Sequence, residues 1–505
     1  MKLLYILFIS LLIIYGCKDR SHVVHQDEII YGETGQRLDS LITPYIKKLR
    51  LLTDNEAGLA IGVTKGNRIV YLKTFGYADI EKKEQVNLNT KFHIASLSKP
   101  FVAFATLKLV EEGKIELDDH IDKYLPELND ADNRFGEVTI RQILTHSSGI
   151  PRHISVEDWQ NPVVDKNALE RNLTQLLDFE LDFEPGSKYS YSNAGFDILG
   201  LIISRASGTS FFDFVQQEVL LPSGMTQSTY IKPIDSLPSN WANSHSYGLK
   251  TQVLVPYPYN LKVAPSAGLK STILDMCNWG MLHLGKGSIN GQEVLDMQLF
   301  ETMVSPQFKT PWDEKIGLSW YLQKYLDRPI ILHTGDSHGF ESMIYIYPEE
   351  DISIVILANR SYSRTGRMVN AVSEVLFEEQ PKSYQVSGIY KYAVAYLDHG
   401  PNVANDLWEQ MKKDTTDNYF IDDNDILASA DILDNGKKWQ ESKDLLEYYL
   451  KENPNSTFAW RLYGNANLNL GDTTKAISSY EKTLEINPNY EKGRIALEQL
   501  LKDNN

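Results

Sequence analysis

The stretch that decides the fold is residues 92–100, which read FHIASLSKP. It holds a Ser-x-x-Lys pattern in which Ser96 and Lys99 lie one helical turn apart, so their hydroxyl and amine share a helix face. Proline is tolerated only in the first turn of a helix, so Pro100 places the helix start at or just before Ser96. Residues 100–110 are apolar almost all round, which predicts a helix buried on every side. A serine beside the free N–H groups of a helix start is well placed to be a nucleophile.

A second Ser-x-x-Lys occurs at Ser479 and Lys482, in a polar amphipathic segment near the C-terminus. Two matches are about what chance gives in a chain of this length. The pattern is therefore weak by itself. Because the second copy has no accompanying motif, we expect it to have no catalytic role.

Length and composition limit the class of protein. A chain of 505 residues is too long for one core and predicts two or three domains. The 67 acidic residues outnumber the 50 basic ones, and the resulting net charge of −17 argues against a nucleic-acid partner. A hydrophobic fraction of 42% is typical of neither a polytopic membrane protein nor a disordered chain.

The N-terminus predicts an exported protein of the bacterial cell envelope. Residues 1–16 carry one positive charge and then an apolar segment shorter than a bilayer span, as in a signal peptide. The following Cys17 resembles a lipoprotein processing site and predicts a lipid anchor in the membrane, with Tyr15 standing where a small residue is usual. The alternative is an uncleaved anchor helix. With Cys17 lipidated, Cys277 has no disulfide partner and is expected to be a buried residue in a helix.

Strand patterns occur at both ends of a long segment. Residues 58–63 and 69–72, separated by a turn, predict a β-hairpin. Residues 329–333, 340–347 and 352–358 alternate or run apolar and predict strands that complete an antiparallel sheet with the hairpin. Helices and loops fill the sequence between them. The predicted fold class is α+β, an antiparallel sheet flanked by helices with an inserted, mainly helical subdomain.

These patterns divide the mature chain into four parts. Residues 17–38 are polar and predict a tether, and residues 39–380 predict one catalytic unit. Residues 381–420 are predicted to be a linker. In residues 421–505 the phrase Asn-Pro-Asn recurs after 34 residues, the period of tetratricopeptide repeats. This small all-α segment is expected to pack on the catalytic unit or on a second chain, and to offer a surface to a protein partner.

Two further motifs accompany Ser96 and Lys99. Tyr191-Ser192-Asn193 lies on a predicted loop, and His333-Thr334-Gly335 lies on a predicted strand. In this order and spacing, the three motifs resemble those of the serine β-lactamase-related superfamily, which includes class C β-lactamases, D-alanyl-D-alanine peptidases, D-aminopeptidases and lactamase-fold esterases. The resemblance covers about residues 35–380.

The resemblance implies a role for each motif residue. Ser96 would form an acyl-enzyme, while Lys99 and Tyr191 would share the work of base and proton relay. Asn193 would hold Lys99 and the carbonyl group of the substrate. His333 would stand where β-lactamases have a lysine, near the substrate carboxylate or the phenol.

The resemblance also implies that Gly335 and Asp336 belong to the substrate-binding set. The oxyanion hole would consist of the backbone N–H groups of Ser96 and Asp336. A carboxylate at that place would oppose the developing charge, so we expect the Asp336 side chain to point away. Tyr189 is an alternative phenol, which the resemblance makes a packing residue. His146 is expected to have a structural role.

Other chemistries fit less well. Residues 335–339 match Gly-x-Ser-x-Gly, but that motif needs a helix after the serine, so Ser337 is not expected to be a nucleophile. No metal-binding motif is present, and no cofactor is predicted. The predicted function is an exported serine hydrolase of a small-molecule or peptide substrate, with esterase or D-amino-acid peptidase activity first. A β-lactam hydrolase, and a cell-envelope sensor or partner-recruiting protein with slow or no turnover, are the alternatives.

Overall fold

A computed structural model describes most of the chain. The described residues are 28–53, 55–153, 161–233, 237–246, 251–377, 380–416, 418–420 and 424–503. The predicted signal peptide and Cys17 lie outside them.

The centre of the fold is a nine-stranded antiparallel sheet built from both ends of the predicted catalytic unit. In spatial order its strands are Glu28–Ile30, Arg68–Phe75, Leu59–Lys65, Ile352–Ala358, Phe340–Tyr347, Arg328–Ser337, Tyr321–Tyr325, Lys315–Ile316 and Phe308–Lys309. The pairing of Leu59 with Ala358 joins the early hairpin to the late strands. The α+β prediction is confirmed, while the last three strands of this order were not predicted because they are too short to show a clear period.

Helices cover both faces of the sheet. The central strand Ile352–Ala358 is buried along its whole length, and its side chains alternate between the two faces. Ile354 packs in the core shared with the helices Gly32–Leu52 and Thr365–Phe377. Its neighbour Val355 packs in the larger core on the other face.

The larger core is formed mainly by the inserted helical region. Its α-helices are Lys99–Glu111, Ile140–Leu144, Ala168–Leu176, Asn193–Ser207, Phe211–Val215, Ala264–Ala267, Ile273–Leu284 and Met297–Met303. In Lys99–Glu111, ten residues are buried, which confirms the predicted burial on every side. Cys277 is buried in Ile273–Leu284, as predicted.

No single helix in the described parts of the chain is long and apolar enough to cross a bilayer. The bent pair Asn193–Ser207 and Phe211–Leu220, with 83° between its two helices, passes the same test on length and composition only.

The folded unit begins earlier than predicted. Residues 28–38 do not belong to a tether, because Glu28–Ile30 pairs with Arg68–Phe75 at the sheet edge and a helix starts at Gly32. This helix lies close to the sheet: a side chain at Gly35 would meet the carbonyl oxygen of Val70 at 2.3 Å. A three-residue edge strand is too short to produce a recognisable alternation in the sequence.

The predicted linker is also wrong. Residues 381–420 contain the helices Ile389–His399 and Pro401–Lys412. Tyr392 and Trp408 from these helices are buried in the same core as the helices that follow. Five further helices complete the segment, namely Asn424–Asn435, Trp439–Glu452, Thr457–Asn469, Thr473–Ile486 and Glu491–Asp503.

The segment that joins the catalytic unit to the repeat helices connects their two cores, while the packing of the repeat helices on the catalytic unit or on a second chain stays a prediction. Val386 is buried in the core of the sheet, and Tyr419 contacts both that core and the helical one. Within the repeats, Gly464 leaves room for Tyr480, because a side chain at Gly464 would come within 2.4 Å of the tyrosine ring. This small-against-large contact lets the helices Thr457–Asn469 and Thr473–Ile486 pack closely.

Candidate active site

Ser96 lies in a short 3₁₀ turn, Ala95–Ser98, immediately before the helix Lys99–Glu111. The residue that precedes the turn, Ile94, fixes it to the strand Phe340–Tyr347 and to the segment before the strand Lys270–Ser271. Its N–H donates to the carbonyl oxygen of Leu269 at 3.0 Å, and its carbonyl oxygen accepts from Ser342 Oγ at 2.6 Å. The first N–H groups of such a turn have no acceptor within it, so the Ser96 N–H is available to a ligand.

The backbone of the turn is strained. Ala95 has a φ of +50°, a conformation that costs a residue other than glycine roughly 1–2 kcal/mol. Its N–H donates to His93 Nδ1 at 3.1 Å, and its carbonyl oxygen accepts from Ser98 Oγ at 2.7 Å. Burial lowers the pKa of His93 well below its usual range, so Nδ1 stays free to accept. These bonds hold the strained residue that orients Ser96.

Lys99 is buried beneath Ser96. Its Nζ donates to Ser96 Oγ at 3.1 Å, which puts the hydroxyl and the amine in contact as the sequence predicted. The same Nζ lies 4.8 Å from the centroid of the Tyr191 ring, so the second motif comes next to the first. Lys99 is 0% exposed.

The group that holds Lys99 is not the predicted one. Lys99 Nζ donates at 2.8 Å to the carbonyl oxygen of Ser266, whose N–H donates to Asp197 Oδ1 at 3.0 Å. Asn193 was expected to hold Lys99, but its buried Oδ1 has no hydrogen-bond partner among the described residues. Sequence analysis missed Ser266 because it acts through its backbone, which no side-chain motif reports.

Tyr191 is positioned by His146. The two ring centroids are 4.3 Å apart, and His146 Nδ1 accepts the N–H of Ser192 at 3.1 Å. Ser192 Oγ in turn accepts from the N–H of Gly195 and caps the helix Asn193–Ser207. Burial, with a smaller effect of nearby cations, lowers the pKa of His146 well below its usual range, so the ring is neutral. The predicted structural role of His146 is confirmed.

These residues open into a cavity of about 300 Å³. It is lined by Ser96, Arg152, Tyr189, Tyr191, Trp312, Tyr321, His333, Thr334 and Asp336. Tyr189 packs in the cavity wall, as the resemblance implies, with its hydroxyl 2.7 Å from that of Tyr321 and its ring 5.9 Å from that of Trp312. Burial raises the pKa of Tyr189 to about 12, so it stays a neutral phenol. Arg152, Trp312 and Tyr321 carry no motif and were not predicted.

His333 is a neutral group at the cavity wall. Nδ1 lies 2.8 Å from the carbonyl oxygen of Thr334, which can only accept, so Nδ1 carries the proton. Burial, followed by the charge of Lys99, lowers the pKa of His333 to about 3. At neutral pH, His333 is therefore uncharged. It differs in this from the lysine that the resemblance implies for β-lactamases at the same place.

Asp336 presents its backbone to the site. Ser337 and Phe340 flank a two-residue turn and form a hydrogen-bonded pair. Because hydrogen-bonded and non-hydrogen-bonded pairs alternate along an antiparallel ladder, the next pair, Asp336 and Glu341, is not hydrogen-bonded. Its N–H therefore points away from Phe340–Tyr347, toward the other side of the strand. On that side the partner strand Tyr321–Tyr325 ends opposite Leu332, so it does not reach Asp336. The exposed carboxylate lies on the sheet face of Glu341, opposite to Gly335 and Ser96. The expected orientation of Asp336 is confirmed.

Gly335 faces the nucleophile turn at close range. A side chain there would meet the carbonyl oxygen of Ile94 at 2.1 Å. Only a glycine therefore lets this strand and the turn of Ser96 approach closely enough to share one cavity.

The rejected alternatives have other surroundings. Ser337 ends a strand and is followed by a turn and another strand, so the helix that a nucleophile elbow requires is missing. Ser479 is buried in a repeat helix, where Oγ donates to the carbonyl oxygen of Lys475 at 2.5 Å. Within the described residues, no three His, Cys, Asp or Glu side chains are grouped to hold a metal ion.

Comparison with known proteins assigns the family. A family model described as Beta-lactamase matches residues 38–376. The chain belongs to the beta-lactamase family. A second model, Tetratricopeptide repeat, matches residues 457–502 of this beta-lactamase family member.

Individual relatives agree with this assignment. "Protein flp" of Staphylococcus aureus (strain N315) is 27% identical over 363 residues, which are 72% of this chain and 70% of the relative. The solved structure of an octameric penicillin-binding protein homologue from Pyrococcus abyssi has a TM-score of 0.60 and 25% identity, covering 69% of this chain and 78% of its own. A class C beta-lactamase, with a TM-score of 0.57, 24% identity and coverages of 69% and 97%, shares the fold. The beta-lactamase family fold is that of serine acyl-transferases and hydrolases.

Proposed function

We propose that this protein is a serine hydrolase that works through an acyl-enzyme on Ser96, and that its substrate is a small ester or a D-amino-acid peptide. The observation that carries the proposal is the 3.1 Å contact between Lys99 Nζ and Ser96 Oγ, at the wall of a cavity that Tyr191 also lines. This contact joins the nucleophile to the amine that shares its proton transfer, and Ser96 itself lines the cavity.

The proposed reaction has two acyl-transfer steps. Ser96 Oγ attacks the substrate carbonyl carbon, and Lys99 and Tyr191 together take its proton. The tetrahedral intermediate collapses, the bond from carbon to the leaving group breaks, and Tyr191 returns the proton to the leaving group. A water molecule then attacks the ester carbon, the bond from that carbon to Ser96 Oγ breaks, and Lys99 and Tyr191 pass the proton of the water to Ser96 Oγ, which releases the acid.

The developing oxyanion would bind to the backbone N–H groups of Ser96 and Asp336. The Ser96 N–H lies at the start of a 3₁₀ turn and has no acceptor within that turn. The Asp336 N–H has no acceptor in the paired strand Phe340–Tyr347. Such preorganised donors supply several kcal/mol of transition-state stabilisation in other serine hydrolases, on the order of 3–4 kcal/mol per donor.

Two features support an ester or peptide substrate. The cavity of about 300 Å³ is at the small end of ligand sites, which fits a short acyl group rather than a bulky one. The neutral His333 stands where the resemblance implies the lysine of β-lactamases. Hydrolysis of β-lactams is the second candidate, and the fold shared with a class C beta-lactamase is the observation in its favour.

Export, a lipid anchor on Cys17 and a protein partner for the repeat helices complete the proposal. The first two rest on the sequence of residues 1–17, and the third rests on the match to a tetratricopeptide repeat. Expression of the full chain and of Cys17→Ser in a bacterium, followed by detergent phase separation, tests the anchor. We expect only the unaltered chain to enter the detergent phase, and equal partitioning of the two would refute it.

The hydrolase proposal is tested with three substrates. The purified protein is incubated with a p-nitrophenyl ester, a D-Ala-D-Ala peptide and nitrocefin, and turnover and the intact mass are followed together. We expect turnover of the ester or the peptide, a mass increase by the acyl group, and loss of both in Ser96→Ala.

The second Ser-x-x-Lys provides a matched control. Ser479→Ala removes the same atom from the same pattern and should leave turnover unchanged. Turnover that persists in Ser96→Ala would disprove the mechanism. Stable acylation of Ser96 without turnover would favour the sensor, and turnover of nitrocefin alone would favour the β-lactam hydrolase.

A further inference from the structure

A second cavity, of about 610 Å³, lies in the part of the sheet that is far from the early hairpin. Among the described residues, it shares no lining residue with the cavity of Ser96. Its volume is within the range of small-molecule sites, about 300–1,000 Å³. It is lined by residues of the strands Lys315–Ile316, Tyr321–Tyr325 and Arg328–Ser337 and of the helices Ile273–Leu284 and Met297–Met303, together with neighbouring loop residues.

The inner surface of this cavity is apolar and uncharged. Leu322 and Ile331 are directly opposite each other in neighbouring strands, so their side chains share one face of the sheet. Both pack in the larger core, as does Phe300, which also lines the cavity. The His283 ring lies 5.3 Å from that of Phe300, and burial lowers the pKa of His283 to about 4, so the ring is neutral. This surface suits an aliphatic chain.

Two lysines mark the mouth of the cavity. Lys324 lies two residues after Leu322 in the same strand, and Lys315 is directly opposite Leu322 in the next strand. Because side chains alternate along a strand and match across a pair, both lysine side chains lie on the sheet face of Leu322. Both line the cavity and are exposed. Within the described parts of the chain, neither forms an ion pair.

The carboxylates that line the cavity are exposed or half-buried, and each has a partner. Glu301 and Asp313 each form an ion pair with a nearby lysine. Glu314 accepts a hydrogen bond from Gln323 Nε2 at 2.5 Å. Two lysines without an ion pair therefore stand against one carboxylate at the mouth, which favours an anion although the whole chain has a net charge of −17.

We propose that this cavity binds a free fatty acid, with its chain against the apolar surface and its carboxylate at Lys315 and Lys324. A single-chain anion fits because the uncompensated cations stand at the mouth, while the inner surface has no charge. The site is separate from the cavity of Ser96, and the inference does not depend on the proposed hydrolase reaction.

A series of ligands tests the chain and the charge. Binding of octanoate, decanoate and dodecanoate is measured by calorimetry at neutral pH, below their micelle concentrations. We expect the dissociation constant to fall by about fourfold for each added methylene group, as burial of that group provides.

Decan-1-ol has the same chain as decanoate without the charge, and decyltrimethylammonium has the opposite charge. Decanoate should bind roughly 2- to 30-fold more tightly than decan-1-ol, because two exposed ion pairs supply that ratio. Decyltrimethylammonium should bind most weakly. Added salt should reduce the difference between decanoate and the alcohol, because both lysines are exposed.

Variants test the position of the ligand. A chain with both Lys315→Gln and Lys324→Gln should bind decanoate no more tightly than decan-1-ol, with its affinity for the alcohol unchanged. Lys65→Gln is the matched control, since Lys65 is an exposed lysine of the same sheet outside the cavity, and it should change nothing. Val304 lines the cavity and is half-buried, so Val304→Trp should reduce the space and weaken both ligands by about tenfold or more.

Three results would overturn the inference. The first is equal affinity of the unaltered protein for decanoate and decan-1-ol. The second is decanoate binding that the two lysine substitutions leave unchanged. The third is decanoate binding that a folded Val304→Trp protein retains in full, which would place the ligand elsewhere, for example in the cavity of Ser96.

The melting temperature of each variant shows whether it folds. If Val304→Trp does not fold, the lysine variants decide, because their side chains are exposed and their replacement leaves the core intact. Each of these measurements reports binding rather than turnover, so a failure of the proposed hydrolase function leaves the result of this test unaffected.

Discussion

Replacing Gly335 with alanine should push the strand Arg328–Ser337, which carries the proposed oxyanion donor Asp336, away from Ser96. The new methyl group would lie 2.1 Å from the carbonyl oxygen of Ile94 and 2.4 Å from Ser342 Oγ, and neither is free to move because these two atoms are bonded to each other. Relief requires a displacement of about 1 Å between the strand and the turn of Ser96. A misplacement of that size costs on the order of 100-fold in rate.

The overpacked contact should also lower the free energy of unfolding by about 1–3 kcal/mol. The rate of acylation, followed by intact mass with a p-nitrophenyl ester, and the melting temperature are measured for Gly335→Ala. Gly366→Ala is the control, because a methyl group there meets only the end of the Met343 side chain, at 3.6 Å. Acylation of Gly335→Ala at the unaltered rate would refute the claim that this close approach builds the site.

Three further predictions follow from buried groups. Lys99→Met should lower the acylation rate by about 10²- to 10⁴-fold while the protein remains folded by circular dichroism, and a loss below tenfold would remove Lys99 from the proton transfer. Burial lowers the pKa of His283 from 6.5 to about 4. Between these pH values the unfolded state binds a proton at His283 and the folded state does not. The contribution of His283 to the free energy of unfolding should therefore be complete above pH 6.5 and fall as the pH drops toward 4. In His283→Gln, denaturant titrations between these pH values should show a slope smaller by about 1.4 kcal/mol per pH unit, and an unchanged slope would mean that His283 is protonated equally in both states. Gly464→Ala should push against the Tyr480 ring and destabilise the repeat helices in hydrogen exchange without changing ester turnover, whereas unchanged exchange would show that this contact is not tight.

The elements that sequence analysis predicted correctly are those with strong local patterns. The helix Lys99–Glu111 is apolar all round, and Phe340–Tyr347 and Ile352–Ala358 are long strands with apolar runs. By contrast, Glu28–Ile30 and Lys315–Ile316 are strands only because the sheet edge offers them a partner. Their short sequences carry no period that could be recognised.

The same division applies to the candidate site. The sequence predicted Ser96, Lys99 and Tyr191, whose side chains form motifs, and the structure brings them together. It did not predict that the carbonyl oxygen of Ser266 holds Lys99, because any residue type supplies that oxygen. Arg152 was missed for another reason: it approaches Tyr191 through the packing of a loop against a helix start, and such a contact has no fixed spacing in the sequence.

The order of strands in the sheet has a consequence for folding. Leu59 pairs with Ala358, so the hairpin at the start of the catalytic unit lacks one neighbour until nearly the whole unit has been synthesised. Contacts between residues so far apart in the chain slow folding, because a long loop must be closed before they form. Until then Arg68–Phe75 has a partner strand on each side, but Leu59–Lys65 has an unpaired edge. The proposed acylation of Ser96 would therefore report completed folding, because the strand Arg328–Ser337 that lines its cavity lies in the late part of the sheet.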